Sequence, residues 1–177
     1  GLSYLHRKGV VHRDLKPGNI LFDNEGQARV SDMGFAKLAR GTSGMSMSAS
    51  GGLVGTPAYI APEIWRGKAA SASSDVYSLA CILVEILTGR VLFDGDSTPE
   101  VMFKHFEPLR LPEGLPGEWQ PAIEKALEKE PGSRFENVLD FVKALRAVDE
   151  KASIPVAEKK QPKAPQKASE TDDQALV

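Results

Sequence analysis

The stretch Val10–Asn19 reads Val-Val-His-Arg-Asp-Leu-Lys-Pro-Gly-Asn, and the other motifs of the chain can be arranged around it. It brings together a carboxylate on Asp14, an amine on Lys16 and a carboxamide on Asn19. The proline between these groups stiffens the backbone, and the glycine after it restores freedom at one position. Such a set of side chains can orient a hydroxyl, neutralise a phosphate and hold a divalent cation.

The composition of the chain is that of a globular protein. Its 177 residues suffice for one domain with a hydrophobic core. Hydrophobic residues make up 41% and charged residues 26%, which excludes a disordered or fibrous chain. Lys and Arg number 22 against 24 Asp and Glu, for a net charge of −2, so nothing suggests that nucleic acid is a partner.

The chain has no sequence signal for a membrane or for secretion. No stretch reaches the apolar length of a membrane span, and the start does not have the basic-then-apolar order of a signal peptide. Cys81 is the single cysteine and lies in an apolar run, so it is expected in the core and fits a reducing compartment. These features predict a cytoplasmic protein. Because the chain begins with Gly1 and not Met, an upstream part is expected to be missing.

The first part of the chain predicts the end of a helix followed by a short hairpin. Leu2–Leu5 are typical of the last turns of a helix that Gly9 closes. After the opening stretch, Ile20–Phe22 is apolar and Ala28–Ser31 alternates, with turn residues between them. The second strand of this hairpin delivers the carboxylate of Asp32.

The longest helix is expected from about Asp75 to Thr88. Ser73 or Ser74 can cap its start, and Gly89 is its stop. Apolar residues cover nearly all of its circumference, and a helix of that kind is normally buried on every side. This segment is therefore predicted to be the axis of the core.

Shorter helices are predicted after it, at about Thr98–Phe106, Pro121–Glu128 and Phe135–Val148. The domain is expected to cover residues 1–148. Residues 149–177 are rich in Lys, Ala, Pro, Gln and Glu, and this composition predicts a disordered tail. Gly, Ser, Thr and Met dominate from Lys37 to Gly55, which is typical of a long functional or mobile loop.

Three ordered motifs resemble those of eukaryotic-like, or Hanks-type, protein kinases. His12–Asn19 resembles the catalytic loop, Asp32-Met33-Gly34 the metal-binding turn, and Ala61-Pro62-Glu63 the end of the activation segment. Asp32 and Gly34 of the turn are kept, whereas Met33 stands where the family usually has Phe. Methionine can fill the same apolar position with less rigid packing.

Further sequence segments resemble one branch of this family. A lysine two residues after Asp14, and later Gly55–Tyr59, resemble the serine/threonine branch. Ser74–Leu79 and Leu87–Gly89 are similar to bacterial members.

The resemblance implies the fold class as well. The class is α+β, mostly α: a helical C-terminal lobe of a protein kinase with a small β-hairpin at the active site, its N-terminal lobe absent. The Gly-rich loop over the phosphates, the strand lysine that grips them and its glutamate partner lie upstream in the family. Gly51-Gly52 cannot replace that loop, because it follows the metal-binding turn and begins no helix.

The resemblance implies ATP and Mg²⁺ as cofactors and a protein Ser or Thr hydroxyl as the acceptor. Asp14 would orient this hydroxyl and accept its proton, and Lys16 would neutralise the γ-phosphate. Asn19 and Asp32 would supply oxygen ligands to Mg²⁺. Thr56 would help to place the acceptor residue.

Other matches imply structural roles. Glu63 and Arg134 resemble the buried ion pair of the family. Asp75 resembles the helix residue that hydrogen-bonds the backbone of the catalytic loop. His12 is then a packing residue and not a general base.

The resemblance also implies a phosphorylated activation segment, because Arg13 beside the catalytic Asp often pairs with such a phosphate in this family. Our hypothesis is that at least one hydroxyl of this region is autophosphorylated. The candidates are Thr42, Ser43, Ser46, Ser48, Ser50 and Thr56.

Two rivals to a serine/threonine protein kinase stay open. One is a kinase-like regulatory or scaffold protein that binds partners without catalysis, against which the intact Asp14, Asn19 and Asp32 argue. The other, a carboxylate metal hydrolase, is weaker, since the cation ligands are too few without nucleotide phosphates. His6 and His105 are assigned no role.

Overall fold

The computed structural model describes residues 1–32 and 56–149. Within these ranges the chain is mostly helical, with one two-stranded antiparallel sheet. The elements are α1 (Leu2–Arg7), β1 (Ile20–Phe22), β2 (Ala28–Val30), α2 (Pro62–Trp65), α3 (Ala72–Thr88), α4 (Thr98–Lys104), α5 (Gln120–Ala126) and α6 (Val138–Asp149). Short 3₁₀ turns lie at Pro17–Asn19, Pro57–Tyr59 and Pro131–Ser133.

Some of the predictions concern residues outside these described ranges. The long loop predicted from 37 to 55 lies outside the described residues, and so do Met33, Gly34 and the candidate hydroxyls from Thr42 to Ser50. The predicted tail also lies outside them, apart from Asp149, which ends α6.

The predicted hairpin is confirmed. β1 and β2 pair antiparallel, with Ile20 opposite Val30. Asp23 organises the turn, because its Oδ1 accepts hydrogen bonds from the backbone N–H groups of Glu25 at 3.0 Å and Gln27 at 2.9 Å. The hairpin is followed by Ser31, which is hydrogen-bonded to His12 and Asn19, so Asp32 follows next to the candidate catalytic loop.

The α3 helix is the core axis that the sequence predicts, since it contacts α5, α6 and the 3₁₀ turn Pro57–Tyr59. Val76, Tyr77 and Ile82 are at most 1% exposed. The expectation that α3 is buried on every side is wrong, however, because Ile86 is 69% exposed. Ile82 and Ile86 lie one turn apart on the same face, so it is the end of the helix that reaches the surface.

The start of α3 also differs from the prediction. The helix begins at Ala72 instead of Asp75, and Ser71 is the N-cap. Ser74 takes part as the third residue of a capping box, with its Oγ accepting from the Ser71 N–H at 3.0 Å. Several serines of this run are good caps, and only packing selects one. The stop at Gly89 is confirmed, with a left-handed φ of 69°.

The shorter helices are confirmed with shifted ends. The predicted helix at Thr98–Phe106 ends at Lys104, and that at Pro121–Glu128 runs over Gln120–Ala126. The predicted helix at Phe135–Val148 begins only at Val138. Within the described ranges, no helix has both the length and the hydrophobicity needed to cross a membrane.

Candidate active site

The backbone of the candidate catalytic loop, His12–Asn19, is held by one carboxylate from α3. Asp75 is 1% exposed, and its Oδ2 accepts from the His12 N–H at 2.8 Å. Its Oδ1 accepts from the Arg13 N–H at 3.0 Å. Arg13 has a φ of 71°, a left-handed conformation that non-glycine residues seldom adopt. Asp75 therefore compensates for backbone strain in the residue that precedes Asp14.

The His12 ring connects this loop to the end of the hairpin. It is completely buried, and its Nε2 lies 2.9 Å from the carbonyl oxygen of Ser31. Since a carbonyl can only accept, Nε2 carries the proton and Nδ1 accepts from the Asp14 N–H at 3.3 Å. Both ring nitrogens are thus occupied by the backbone.

Three candidate site residues of the loop, Asp14, Lys16 and Asn19, meet in one cluster. Lys16 Nζ lies 3.3 Å from Asp14 Oδ2. The Asn19 side chain is 4% exposed, and its Nδ2 donates to the Asp14 carbonyl at 2.8 Å and to Oδ2 at 3.5 Å. The side chains of Asp14 and Lys16 keep 24% and 32% of their surface exposed, so a reactant can reach them.

Asp32 lies next to this cluster, whereas Thr56 begins a separate turn. The Ser31 N–H donates to the Asn19 carbonyl at 2.9 Å, which brings the end of β2, and so the start of the turn at Asp32, next to Asn19. Asp32 is exposed and has a φ of 52°. Thr56 is exposed too, but the turn that it begins, Pro57–Tyr59, contacts α3 and α4.

The oxygen donors near the loop suit a hard cation whose coordination a bound ligand completes. A carboxamide on Asn19 and a carboxylate on Asp32 offer oxygen atoms, which Mg²⁺ prefers. No group of three or more His, Cys, Asp or Glu side chains lies together in the part of the chain that the structure describes. Asn19 and Asp32 together offer two side-chain oxygen ligands, whereas Mg²⁺ takes an octahedral set, so oxygen atoms of water or of a nucleotide would complete it.

A buried ion pair between Glu63 and Arg134 is hydrogen-bonded to the first turn of α3. Arg134 donates from Nη1 to Glu63 Oε1 at 2.9 Å and from Nη2 to Oε2 at 2.7 Å. Ser74 Oγ donates to Oε1 at 2.6 Å. Burial raises the pKa of the Glu63 carboxyl, but the hydrogen bonds from Arg134 and Ser74 outweigh it, so the pKa lies below its ordinary value. Glu63 is therefore ionised in the fold.

Two histidines that the sequence left without a role are structural. His6 Nε2 lies 2.8 Å from Asp75 Oδ2, so His6 helps to fix the anchor of the catalytic loop. His105 is buried, with Nδ1 2.8 Å from the Tyr77 hydroxyl and Nε2 3.0 Å from the Pro57 carbonyl. His6 and Asp75 are 69 positions apart, so no local pattern could have indicated this pairing.

The buried thiol of Cys81 is where the sequence places it, in the core. Burial raises the pKa of this thiol well above its ordinary value, so it stays protonated.

Comparison with known proteins gives a consistent result. Residues 1–163 match the protein kinase domain family. The chain is 39% identical over 145 residues to the probable serine/threonine-protein kinase PknB of Bifidobacterium longum, which covers 79% of this chain and 21% of that protein. It is 38% identical over 150 residues to serine/threonine-protein kinase PknA of Corynebacterium glutamicum, covering 84% of this chain and 31% of that protein. It is 37% identical over 145 residues to serine/threonine-protein kinase PknB of Mycobacterium tuberculosis, covering 79% and 23%. The chain thus spans less than a third of the length of these relatives.

Proposed function

Because the chain belongs to the protein kinase domain family, we propose that it transfers the γ-phosphate of ATP to Ser or Thr hydroxyls of proteins, as part of a bacterial-type serine/threonine kinase. Residues 1–148 would form its helical C-terminal lobe. The main support is the contact of Asp14, Lys16 and Asn19 on a backbone that Asp75 anchors. A cytoplasmic location belongs to this proposal.

The transfer step requires an acceptor hydroxyl in line with the phosphate and little covalent chemistry from the protein. The exposed part of the Asp14 carboxylate accepts a hydrogen bond from this hydroxyl and takes its proton as the new P–O bond forms and the bond to ADP breaks. Lys16, 3.3 Å from that carboxylate, can turn its ammonium to the oxygens of the transferring phosphoryl group. Thr56 at the exposed start of its turn helps to position the acceptor.

Asn19 and Asp32 are the residues that would hold Mg²⁺. The bound ion supplies positive charge against the phosphate oxygens. Asn19 suits this role because the hydrogen bond from its Nδ2 to the Asp14 carbonyl fixes the orientation of the carboxamide. Its Oδ1 is the atom that would bind the ion.

ATP binding needs groups that these 177 residues do not supply, namely a Gly-rich loop and a strand lysine ahead of the catalytic loop. Residues 1–177 alone are therefore proposed to have little or no kinase activity. A phosphotransfer assay of this chain with ATP and Mg²⁺ tests that point: clear turnover, lost in Asp14→Asn, would contradict it.

The kinase proposal itself is tested on the full-length gene product that contains these residues. With ATP, Mg²⁺ and a protein substrate, we expect phosphoserine or phosphothreonine to form. Asp14→Asn should lower kcat by about a hundredfold to ten-thousandfold, because the hydroxyl loses its proton acceptor. Asp96→Asn is the matched control, since Asp96 is exposed and outside the site. Equal activity of wild type and Asp14→Asn would refute the proposal and favour a scaffold that binds without catalysis.

Regulation by phosphorylation belongs to the same proposal. The exposed Arg13 side chain, next to Asp14, would pair with a phosphate placed on Thr42, Ser43, Ser46, Ser48, Ser50 or Thr56. Phosphopeptide mapping of the active gene product tests it, and an unmodified segment would contradict it.

A further inference from the structure

The turn Pro57–Tyr59 follows Thr56, the residue proposed to position the acceptor, and this turn is weak by itself. It is a single 3₁₀ turn of three residues, and such turns have poor hydrogen-bond geometry. Its two backbone hydrogen bonds are long. The Tyr59 amide nitrogen lies 3.3 Å from the Thr56 carbonyl oxygen, and the Ile60 amide nitrogen lies 3.2 Å from that of Pro57. The position of Thr56 therefore depends on groups outside the turn.

Side chains from two parts of the fold hold this turn. On α3, Ser78 Oγ donates to the Tyr59 carbonyl at 2.6 Å, and Glu85 Oε2 accepts from the Tyr59 hydroxyl at 2.6 Å. Both of these hydrogen bonds act on the last residue of the turn. His105, directly after α4, acts on the first residue, since its Nε2 lies 3.0 Å from the Pro57 carbonyl oxygen. Among the described residues, this is the side-chain hydrogen bond nearest to the start of the turn.

The imidazole ring of His105 is a rigid hydrogen-bond donor. It is completely buried, and the ring centroids of Phe93, Tyr77 and Trp65 lie 4.2, 5.7 and 6.2 Å from its own. Because the Pro57 carbonyl can only accept, Nε2 carries the proton, and Nδ1 accepts from the Tyr77 hydroxyl at 2.8 Å. Tyr77 thus fixes the tautomer, and close packing fixes the ring plane. The Nε2–H group is aimed at the turn before any acceptor binds.

We propose that His105 is a positioning residue for the protein acceptor: through the Pro57 carbonyl, it holds the turn in the conformation in which Thr56 meets the acceptor segment. This inference rests on the proposed function. Without the hydrogen bond, only a fraction of the molecules has the turn in this conformation, and the affinity for the acceptor falls by that fraction. Saturating acceptor restores the conformation, so kcat changes less than the KM for the acceptor.

Two substitutions separate the hydrogen bonds of the ring. The amide nitrogen of glutamine can take the place of Nε2, so His105→Gln keeps a donor to the Pro57 carbonyl and loses the acceptor for Tyr77. The amide oxygen of asparagine can take the place of Nδ1, so His105→Asn keeps that acceptor and loses the donor. Both variants lose the buried ring. His105→Gln is therefore the matched control for the loss of stability, which thermal unfolding measures.

Hydrogen exchange of the full-length gene product tests the positioning without any need for kinase activity. In His105→Asn, the amides of Tyr59 and Ile60 should exchange at least about tenfold faster, because the turn opens more often. In His105→Gln they should stay close to wild type. The amide of Ile123, in the buried part of α5, reports global opening and should exchange equally in the two variants. Equal exchange of the turn in both variants would overturn the proposal.

A measurement on the wild type decides the matter if His105→Asn does not fold. In ¹⁵N NMR spectra of histidine-labelled protein, the His105 ring should be the tautomer with the proton on Nε2. The loss of its signals in His105→Gln assigns them. A proton on Nδ1 instead would leave no donor for the Pro57 carbonyl and would overturn the proposal.

Steady-state kinetics of the full-length gene product test the consequence for the acceptor, with ATP, Mg²⁺ and dephosphorylated casein. His105→Asn should raise the KM for casein about two- to tenfold, as expected for one lost hydrogen bond, and leave the KM for ATP unchanged. His105→Gln should keep the KM for casein within about twofold of wild type.

A merely structural role of His105 predicts a different kinetic result. Both variants would then lose active enzyme, so the apparent kcat would fall alike in both while the KM for casein stayed the same. That result would overturn the proposal. Absence of phosphotransfer by the wild type would instead refute the proposed function and with it the acceptor role, whereas hydrogen exchange would still decide whether His105 holds the turn.

Discussion

Arg134 connects distant parts of the chain through a single guanidinium group. It binds both carboxylate oxygens of Glu63, donates to the Ser73 carbonyl at 3.1 Å, and donates from Nε to the Glu128 carbonyl at 2.6 Å. Its side chain is 0% exposed and that of Glu63 is 2% exposed. A pair so deeply buried contributes little net stability against an apolar pair, but breaking it leaves a buried charge unpaired.

We predict that Arg134→Met lowers the free energy of unfolding by about 3 to 5 kcal/mol, because Glu63 loses its partner. The double variant Glu63→Gln/Arg134→Met should recover part of this loss, since the unpaired charge is gone. Urea denaturation of the chain measures both.

The surface pair of Arg66 and Glu130 provides the matched control. Arg66 Nη1 lies 2.7 Å from Glu130 Oε1, but the two side chains are 38% and 61% exposed. Arg66→Met should therefore change stability by less than about 1 kcal/mol. Similar losses for Arg66→Met and Arg134→Met would contradict the role given to burial.

At the scale of elements, α3 illustrates how a helix end is fixed locally. Gly89 adopts a φ of 69°, and its N–H donates to the Glu85 carbonyl at 2.7 Å. A side chain in this left-handed conformation is strained, and glycine avoids that strain.

We predict that Gly89→Ala lowers the free energy of unfolding by about 1 to 2 kcal/mol, because alanine is strained at this φ. The substitution meets no other atom within 4 Å, so crowding does not contribute. Thermal unfolding followed by circular dichroism measures the change.

Gly117→Ala is the control for this prediction. A Cβ at Gly117 also meets nothing within 4 Å, but this glycine does not have a positive φ. Alanine there should leave stability unchanged or raise it slightly. A loss as large as that of Gly89→Ala would show that conformation is not the cause.

At the scale of the whole molecule, His105 ties α4 to α3 and to the turn at Pro57. Its Nδ1 accepts from the Tyr77 hydroxyl, and its Nε2 donates to the Pro57 carbonyl. Burial lowers the pKa of His105 to about 4, from an ordinary value of 6.5. The folded state therefore keeps this ring neutral where the unfolded chain takes up a proton.

The sign of the pH dependence follows from this difference. Between pH 6.5 and about 4 the unfolded state binds more protons, so the free energy of unfolding decreases as the pH falls. We predict a loss of about 3 kcal/mol across this window and none from His105 above it. Glu63 stabilises the fold through its lowered pKa, and this stabilisation is fully present above pH 4.5. It is lost only as the pH falls below that value, so Glu63 does not account for the change between pH 6.5 and 4.5.

Urea denaturation of wild type and His105→Gln, at several pH values, measures this effect. The variant should be less stable at neutral pH, since glutamine cannot reproduce both bonds, but its stability should fall less between pH 6.5 and 4.5. An identical pH dependence in wild type and variant would contradict the assignment to His105.

The sequence by itself determined the family and most local elements of this protein. The order of motifs around Asp14 indicates a protein kinase, and the match of residues 1–163 to that family confirms it. The hairpin turn after Phe22 and the stop at Gly89 are readable because they depend on neighbouring residues and on backbone conformation. The pairing of Glu63 with Arg134 was indicated by the family resemblance, since no spacing pattern in the sequence predicts it.

The spacing of residues does not show what holds the loop at His12–Asn19 in place: Asp75 was indicated only by the family resemblance, and the part of His6 came from the tertiary structure alone. Asp75 reaches His12 across 63 positions and His6 across 69, and only packing brings such side chains together. Tertiary structure also decided that Ser71 caps α3 and that Ile86 is exposed, since equivalent residue types nearby compete for each environment. The physical reason is that local propensity fixes where a helix or turn can form, whereas burial depends on which elements meet.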